Sequence, residues 1–394
     1  MFLAAGLVLA MSGTASAVDF DATQTRRILG HGPWPVAAAT DHTNRLSGNP
    51  DAIRLGALLF NEPRLSGNGG ISCQTCHRPD HGWSEAKARS EGLQQQDRNA
   101  PGLLNVRLQR WFGWDGANDS LWAASIRPIV ADTEMGGSIS ATAGLLRKDS
   151  LLTCLASRVA PDYAAAADED VAVLAAKSLA AFMETLASPR TPFDDFRDAL
   201  AANDAVAMAR YPEAAQRGLA LFTGRGQCGT CHSGPNFSNG EFHDTGLRFF
   251  LTDANGARRV DPGRHGGISR LKASPFNLLG RHNDDPNGTA SIPVRHIAQL
   301  HRNWGEFKVP PLRNLAATAP YIHDGSKVSL RDVILHYSDL DEDRLHSDGE
   351  AILKPLHLNA AEIADLQAFL DSLSVGNDSA ARYAELRRDA AACR

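Results

Sequence analysis

The chain has 394 residues, of which 43% are hydrophobic and 22% are charged. This composition is that of a globular protein, and the length suggests two domains, each with its own core. Acidic residues outnumber basic ones by 45 to 40, for a net charge of −5, which argues against nucleic-acid binding because a phosphate-binding surface usually carries a basic excess.

The N-terminus has the pattern of a secretory signal. An apolar run precedes the small-residue site Ala15-Ser16-Ala17, so residues 1–17 are predicted to be a signal peptide cut after Ala17. The run is too short to cross a membrane, and no long apolar run follows it. No Lys or Arg precedes the run, which is atypical of a signal, and a buried N-terminal helix is the alternative. Export without an anchor predicts a periplasmic or extracellular protein with no membrane span, where disulfides are permitted.

Two C-x-x-C-H motifs dominate the cysteine pattern. The first motif is Cys73, Cys76 and His77, and the second motif is Cys228, Cys231 and His232. In such motifs the two sulfurs add across the vinyl groups of one porphyrin, and the His lies under the iron as its proximal ligand. Paired zinc knuckles usually lie about 15–20 residues apart, far closer than these motifs, and a thioredoxin-type pair needs neither the trailing His nor a second copy. The sequence therefore predicts two covalently bound haem c groups.

The segments before the two motifs are also alike. RLGALLF (54–60) precedes the first motif and RGLALF (217–222) precedes the second motif. Each predicts a helix with an apolar stripe that leads into a Gly-containing loop. The repetition indicates two similar haem domains in tandem.

The boundary between these domains is marked by proline. Residues 171–186 are rich in Ala and Leu and predict a helix, and Pro189 and Pro192 break that pattern. We therefore expect an N-terminal haem domain over 18–195 and a C-terminal haem domain over 205–394. Cys154 and Cys393 remain outside the motifs, and they could form a disulfide between the domains or be two inert buried thiols.

A c-type haem that only carries electrons needs a sixth ligand, usually Met or His, whereas a haem that performs chemistry needs an open position. No Met follows Met208, so no downstream Met can serve the second motif. In SLRDVILHY (329–337), Ser329 suits an N-cap with Asp332 as its capping-box partner. The apolar stripe of this helix carries Tyr337 toward the core. Tyr337 is a candidate iron ligand, and a core Tyr with a satisfied hydroxyl is the alternative.

Four further stretches carry a family resemblance. They are DRNAPGLLN (97–105), GWDG (113–116), FKVPPLRNLAATAPYIHDGS (307–326) and LNAAEIADLQAFLDSL (358–373). Together with the two motifs they resemble the bacterial di-haem cytochrome c peroxidases and the MauG-like enzymes. The resemblance implies an all-α fold of two cytochrome c-like haem domains in tandem with extended loops, facing each other with a calcium ion between them.

The resemblance also implies roles for single residues. His77 is similar to the proximal ligand of a five-coordinate, peroxide-reactive haem, and His232 to that of an electron-storing haem. Tyr337 stands where the peroxidases place Met and MauG places Tyr. Trp114 resembles the indole between the haems, although ordinary core packing is the alternative. Glu134 resembles the distal catalytic carboxylate, whereas the residues alone would make it a solvated surface group.

Oxygen donors are implied for the calcium ion. Asn99 and the carbonyl oxygens of Thr318 and Pro320 are similar to the family's ligands, and such donors suit a hard cation. Arg313 is a candidate partner for a haem propionate, because a guanidinium suits bidentate carboxylate contact. His323 could hold a propionate or cap a turn.

Two departures from the family pattern affect the functional reading. The peroxidases often close the first haem with a His in the following loop, but His81 is only four residues beyond His77. This spacing predicts a haem that is open without prior reduction. MauG has a surface Trp two residues before the first Cys of its second motif, where this chain has Gly226, so the electron route of MauG cannot be assumed.

Three functions compete. The first is a MauG-type oxidase that uses hydrogen peroxide to oxidise an aromatic residue, such as Trp, of a partner protein. The second is a peroxidase that reduces peroxide with electrons from a small cytochrome c or copper protein, and the third is a pure electron carrier. Tyr337 and the missing Met favour the first, and Glu134 with an open first haem disfavours the third.

Overall fold

A computed structural model describes residues 18–37, 39–247, 250–252, 258–345, 347–349, 352–376 and 379–393. The predicted signal peptide therefore lies outside the described residues. The described chain is rich in helix and has few strands, which confirms the fold class at that level. None of the described helices is long and apolar enough to cross a membrane.

The helices of the described residues are α1 (Ala22–Leu29), α2 (Pro50–Phe60), α3 (Cys73–Cys76), α4 (Leu121–Val130), α5 (Ile139–Lys148), α6 (Ser150–Val159), α7 (Asp168–Met183), α8 (Pro192–Ala201), α9 (Ala205–Met208), α10 (Glu213–Thr223), α11 (Gly263–Ala273), α12 (Ile292–His296), α13 (Leu330–Ser338), α14 (Ala360–Asp371) and α15 (Ser379–Ala390). The strands are β1 (Phe242–His243), β2 (Phe250–Thr252), β3 (Arg258–Val260) and β4 (Phe307–Lys308). They form two antiparallel pairs, β1 with β4 and β2 with β3.

A first hydrophobic core forms around α2 and α7. Thirteen of the sixteen residues of α7 are buried, so this Ala-rich helix is surrounded by α2, α4 and α5. Helix α2 crosses it at Gly56, where an added Cβ would lie 2.0 Å from the carbonyl oxygen of Ser178. Glycine is required at this crossing because the two backbones are in contact.

A second hydrophobic core repeats this arrangement around α10 and α14. An added Cβ at Gly218 would lie 2.0 Å from the carbonyl oxygen of Asp365 and 2.9 Å from Cβ of Phe369. The two cores therefore share a crossing of the same kind, each placed just before a C-x-x-C-H motif.

The repetition extends past the motifs with a constant spacing of 209 residues. Asn105 and Asn314 both have left-handed backbones, with φ of 60° and 65°, and each begins a short 3₁₀ turn. Ser120 and Ser329 cap α4 and α13, because their side-chain oxygens accept hydrogen bonds from the backbone N–H groups of Ala123 and Asp332. The capping box predicted between Ser329 and Asp332 is present.

Each terminal helix of the described chain packs in the core formed by the opposite half of the chain. Ile28 of α1 is buried in the second core, whereas Tyr383 of α15 is buried in the first. Cys154 and Cys393 form a disulfide with a Cα–Cα distance of 6.0 Å, which fastens the segment after α15 to α6. Of the two alternatives for these cysteines, a disulfide or two buried thiols, the structure contains the disulfide.

Candidate functional site

The first motif is a compact turn whose His is fixed from behind. Helix α3 begins with a capping box between Ser72 and Thr75, and His77 is its C-cap. Nδ1 of His77 lies 3.1 Å from the carbonyl oxygen of Trp83, a contact that sets the ring orientation and leaves Nε2 available as a ligand. Burial lowers the pKa of His77, which favours the neutral, metal-binding imidazole.

The second motif has the same arrangement. Nδ1 of His232 lies 3.0 Å from the carbonyl oxygen of Phe237, and burial lowers the pKa of His232 to about 4. Trp83 and Phe237 both have left-handed backbones, with φ of 61° and 53°. This conformation is unfavourable for large side chains, and in both loops it accompanies a carbonyl that faces the His ring.

None of the four motif cysteines is part of a disulfide, and burial raises the pKa of Cys73, Cys76 and Cys228 to about 12. Among the described residues, no three His, Cys, Asp or Glu side chains converge on a possible metal position, as a zinc site would require. Two cysteines outside any disulfide, followed directly by an oriented imidazole, instead fit the covalent attachment of a haem.

A large cavity lies against the second motif. It has a volume of about 1350 Å³, and its walls include Cys228, Cys231, His232 and Tyr337. Ligand sites for drug-sized molecules usually measure about 300–1,000 Å³, so the space is large enough for a porphyrin. The residues present therefore fit a haem group at the second motif.

Tyr337 faces this cavity from α13. Burial, together with the nearby Cys228 and Cys231, raises the pKa of its phenol. Nε2 of its neighbour His336 lies 2.8 Å from the carbonyl oxygen of Thr245. The assignment of Tyr337 as an iron ligand, with a core Tyr as the alternative, stays a prediction.

The internal repeat identifies the position of the N-terminal half that corresponds to Tyr337, a match that sequence reasoning missed. Pro128 precedes Tyr337 by the same 209 residues that separate the capping Ser120 and Ser329. Pro128 lies inside α4 and has no atom that can bind iron. The constant spacing was visible in the sequence and would have revealed this equivalence.

Trp114 lies where the two halves of the chain meet. Its indole Nε1 donates to the backbone and side-chain oxygens of Asn99, both at 3.1 Å, and its carbonyl accepts from the Lys308 N–H at 2.8 Å. His323 lies 6.4 Å away ring to ring and stacks on Phe307 at 3.5 Å. Trp114, Asn99 and His323 also line the large cavity.

The structure brings two of the three predicted calcium donors into direct contact. The side-chain nitrogen of Asn99 donates to the carbonyl oxygens of Pro320, at 3.2 Å, and Ile322, at 2.8 Å. Thr318 lies beside them, against Gly82 and Gly102. A cation at this place requires the oxygen of the Asn99 amide on the side where its nitrogen now lies.

Glu134 is not a free surface carboxylate. Its two oxygens accept hydrogen bonds from Arg127 at 2.5 and 3.1 Å. Glu134 and Glu85 both act electrostatically on Cys76 and His77, which places both carboxylates close to the first motif. Glu85 is 4% exposed and its Oε2 has no partner among the described residues; no pattern in the sequence pointed to it or to Arg127.

Arg313 is occupied by a protein partner. Its guanidinium bonds both oxygens of Asp194, at 2.8 and 2.9 Å, and stacks 3.7 Å above the ring of Trp34. This buried ion pair accounts for the position of Arg313 without a propionate, and the assignment to a propionate stays a prediction.

The structure shows the surroundings of His81 and Gly226, the two positions that depart from the family pattern. His81 is 38% exposed and lies 3.6 Å from Asp80, so it faces solvent. At Gly226 an added Cβ would lie 2.8 Å from the carbonyl oxygen of Leu221, which leaves no room for a Trp without a backbone shift.

Similarity to known proteins agrees with this arrangement. A profile of the di-haem cytochrome c peroxidases matches residues 50–201. The chain is 33% identical to the methylamine utilization protein MauG of Methylorubrum extorquens over 82% of this chain and 78% of that protein. It is 30% identical to cytochrome-c peroxidase IdrP2 of Pseudomonas sp., over 92% of each chain.

Solved structures show the same fold. A MauG-like protein associated with microbial copper homeostasis superposes with a TM-score of 0.64, over 87% of this chain and 95% of that chain, at 24% identity. The diheme peroxidase BthA of Burkholderia thailandensis superposes with a TM-score of 0.65, over 88% and 91% of the two chains, at 20% identity.

Proposed function

Because the chain belongs to the di-haem cytochrome c peroxidase family, we propose that it is a MauG-type oxidase, which uses hydrogen peroxide to oxidise an aromatic residue of a partner protein. Family membership makes the chain a peroxidase-type oxidoreductase and implies two haem c groups. Peroxide and a partner protein or cytochrome are the implied reactants.

One observation carries the MauG-type assignment: Tyr337 lines the same cavity as His232, and no Met follows Met208. A phenolate ligand would stabilise a higher oxidation state and lower the reduction potential. Burial and the two nearby cysteines raise the pKa of Tyr337, so the phenolate would need the positive charge of a bound iron. Such a site suits holding an oxidising equivalent better than accepting an electron from a high-potential donor.

The first motif would hold the reactive group. His77 supplies the proximal nitrogen, and Pro128, which matches Tyr337 in the repeat, offers no atom to close the opposite position. The exposed His81 does not favour closure either. These features support a site that is open to peroxide without prior reduction.

The haem groups, when bound, supply the iron that activates peroxide and stores the oxidising equivalents. Glu134 would carry the proton from the inner to the outer peroxide oxygen, the task of a positioned acid–base group. Arg127 holds both oxygens of that carboxylate in one orientation. Trp114, fixed at its nitrogen by Asn99, would couple the two halves, with a calcium ion held by Asn99, Thr318 and Pro320.

The finer architecture belongs to the same proposal. Two cytochrome c-like haem domains over 18–195 and 205–394 accord with the two helix crossings at Gly56 and Gly218. A periplasmic location after removal of residues 1–17 accords with the disulfide, since disulfides persist in oxidising compartments.

A peroxidase that draws electrons from a small cytochrome c or copper protein is the second candidate. Relatives named cytochrome-c peroxidase at 30% identity over most of the chain favour it. In that case Tyr337 would replace the Met that the peroxidases have at this position, without a change of function.

Turnover kinetics separate the two candidates. Purified protein carrying haem is mixed with peroxide, with and without a reduced small cytochrome c, and the decay of the oxidised protein is followed optically. The MauG-type proposal predicts a long-lived oxidised protein and slow cytochrome oxidation. Rapid, saturable oxidation of the cytochrome at the cost of peroxide would establish the peroxidase instead.

A further inference from the structure

The carbonyl that orients His77 belongs to a strained residue. Trp83 has φ 61°, a conformation that is unfavourable for a bulky residue and persists only where the surroundings enforce it. Its indole is fully buried among the rings of Phe60, Phe182 and Tyr383, at centroid distances of 5.6, 6.0 and 5.4 Å. The position of the His77 ring therefore depends on what packs around Trp83.

The last helix of the chain supplies two polar contacts to this loop. Nε1 of Trp83 donates to Oγ of Ser379 at 2.8 Å, which ties the buried indole to the first residue of α15. The hydroxyl of Tyr383 donates to the side-chain oxygen of Gln74 at 3.1 Å. Gln74 lies between the two cysteines of the first motif, so α15 touches both the attachment turn and the loop that orients the proximal His.

A covalent bond holds α15 in this place. The disulfide joins Cys393, three residues after α15 ends, to Cys154 of α6. Helix α15 is otherwise a surface helix in which only Tyr383 and Ala390 are buried, so few of its side chains hold it against the first core, with Leu386 packed there in part. The disulfide therefore restricts a segment that local burial holds weakly.

The second motif is supported differently. Phe237 is held by the stacked ring of His31, at 4.3 Å, and by Phe193 and Phe369 at 5.1 and 6.1 Å. No disulfide of the described residues joins that environment. The two proximal loops are alike in backbone, yet only the first depends on a disulfide-fastened helix.

We propose that α15, fastened by the Cys154–Cys393 disulfide, positions the proximal His77 ring, with Ser379 and Tyr383 as positioning residues. The inference rests on the proposed function, because it assumes a haem at the first motif. Loss of these contacts lets the Trp83 loop relax and changes the iron environment at the first motif alone.

The test uses the mature protein carrying haem, in Ser379→Ala, Tyr383→Phe and a Cys154→Ser, Cys393→Ser double variant. The haem content of the wild type and of each variant is determined first, since fewer than two haems per chain in the wild type would contradict the proposed function rather than this inference. The readouts are the electron paramagnetic resonance signals of the two haems and the amide hydrogen exchange of residues 73–83. Tyr163→Phe is the matched control, because its buried hydroxyl bonds Leu146 in the same core without touching the loop.

We expect all three variants to shift the resonance of the first haem and leave that of the second unchanged. Exchange in 73–83 should become about two- to tenfold faster, the change that loss of one net hydrogen bond produces. The inference is overturned if the variants that keep two haems leave the first haem signal unchanged. It is also overturned if Tyr163→Phe produces the same shift, because the effect would then reflect general loosening of the core. Ser379→Ala and Tyr383→Phe keep the test decisive if the double variant does not fold.

Discussion

At the scale of single residues, Tyr337 and Pro128 distinguish two sites that are otherwise similar. They occupy matching positions in α13 and α4, helices that start with the same Ser cap. A phenol oxygen can bind iron, whereas a Pro side chain cannot. Under the proposed function, this one difference within a repeated unit would give one closed and one open iron site.

Replacing the phenol tests this distinction. Tyr337→Phe should raise the reduction potential of the second haem and alter its low-spin spectrum, since an anionic ligand is lost. Spectroelectrochemistry measures both effects. Tyr211→Phe is the control, because it removes another buried hydroxyl of the second core, 2.6 Å from Ser372. Equal potentials in the wild type and Tyr337→Phe would remove Tyr337 from the ligand set.

Glu134 can be tested in the same way. Glu134→Gln removes the exchangeable carboxylate proton, so peroxide consumption should slow by about 10²–10⁴-fold if the residue is the acid–base group. Stopped-flow kinetics with peroxide measure the rate. Glu362→Gln is a matched control, because Glu362 also pairs with an Arg, Arg225, on the surface of the second core. A rate that Glu134→Gln leaves unchanged would exclude Glu134 from the proton transfer.

At the scale of helices, two crossings at glycine place the motifs. The backbones of α2 and α7, and of α10 and α14, are so close that a methyl group has no space at Gly56 or Gly218. Each crossing fixes the end of the helix that leads into a C-x-x-C-H motif, so packing at the crossing controls where the cysteines lie.

Alanine at either crossing should be costly. Gly56→Ala and Gly218→Ala should each destabilise the fold by about 1–3 kcal/mol or more, since overpacking forces backbone shifts. Gly144→Ala in α5 is the control, because nothing lies within 4 Å of its added Cβ. There we expect a gain of about 0.5–1 kcal/mol from higher helix propensity. Thermal unfolding measures the stability of the three variants. A Gly56→Ala variant as stable as the wild type would contradict the close backbone contact at this crossing.

Sequence patterns predicted local elements better than their partners. The Ala- and Leu-rich stretch predicted for 171–186 is α7, Asp168–Met183, and the predicted cap at Ser329 is present. Periodicity shows that a helix buries one face, but it does not identify the element that this face packs against. It therefore could not predict that α1 packs in the second core and α15 in the first. Arg313 illustrates the same limit, because its partner Asp194 lies 119 residues away.

At the scale of the whole molecule, buried acids make stability depend on pH. Burial raises the pKa of Glu184 from 4.5 to about 7 and that of Asp119 from 3.8 to about 6. A carboxyl whose pKa is higher in the folded state binds more protons there, so stability is greatest below the unfolded pKa. The contribution of Glu184 to stability falls as pH rises from about 4.5 to 7 and is constant above that range.

Glu184→Gln should remove about half of this dependence. We expect the variant to be more stable than the wild type at pH 8 by about 1–3 kcal/mol, and similar to it at pH 4. Asp119 leaves a smaller slope of the same sign. Denaturant unfolding at the two pH values measures the difference, with Glu385→Gln, an exposed carboxylate of α15, as control. A wild type that becomes more stable between pH 4 and pH 8 through Glu184 would contradict the prediction.

The proposed function requires that both motifs hold a haem and that only the haem iron at His77 keeps an open coordination position. The most direct measurement is the electron paramagnetic resonance spectrum of the oxidised, purified protein, quantified against its haem content. We predict two haems per chain, with equal amounts of one high-spin and one low-spin iron. Two low-spin signals, or fewer than two haems per chain, would contradict the claim.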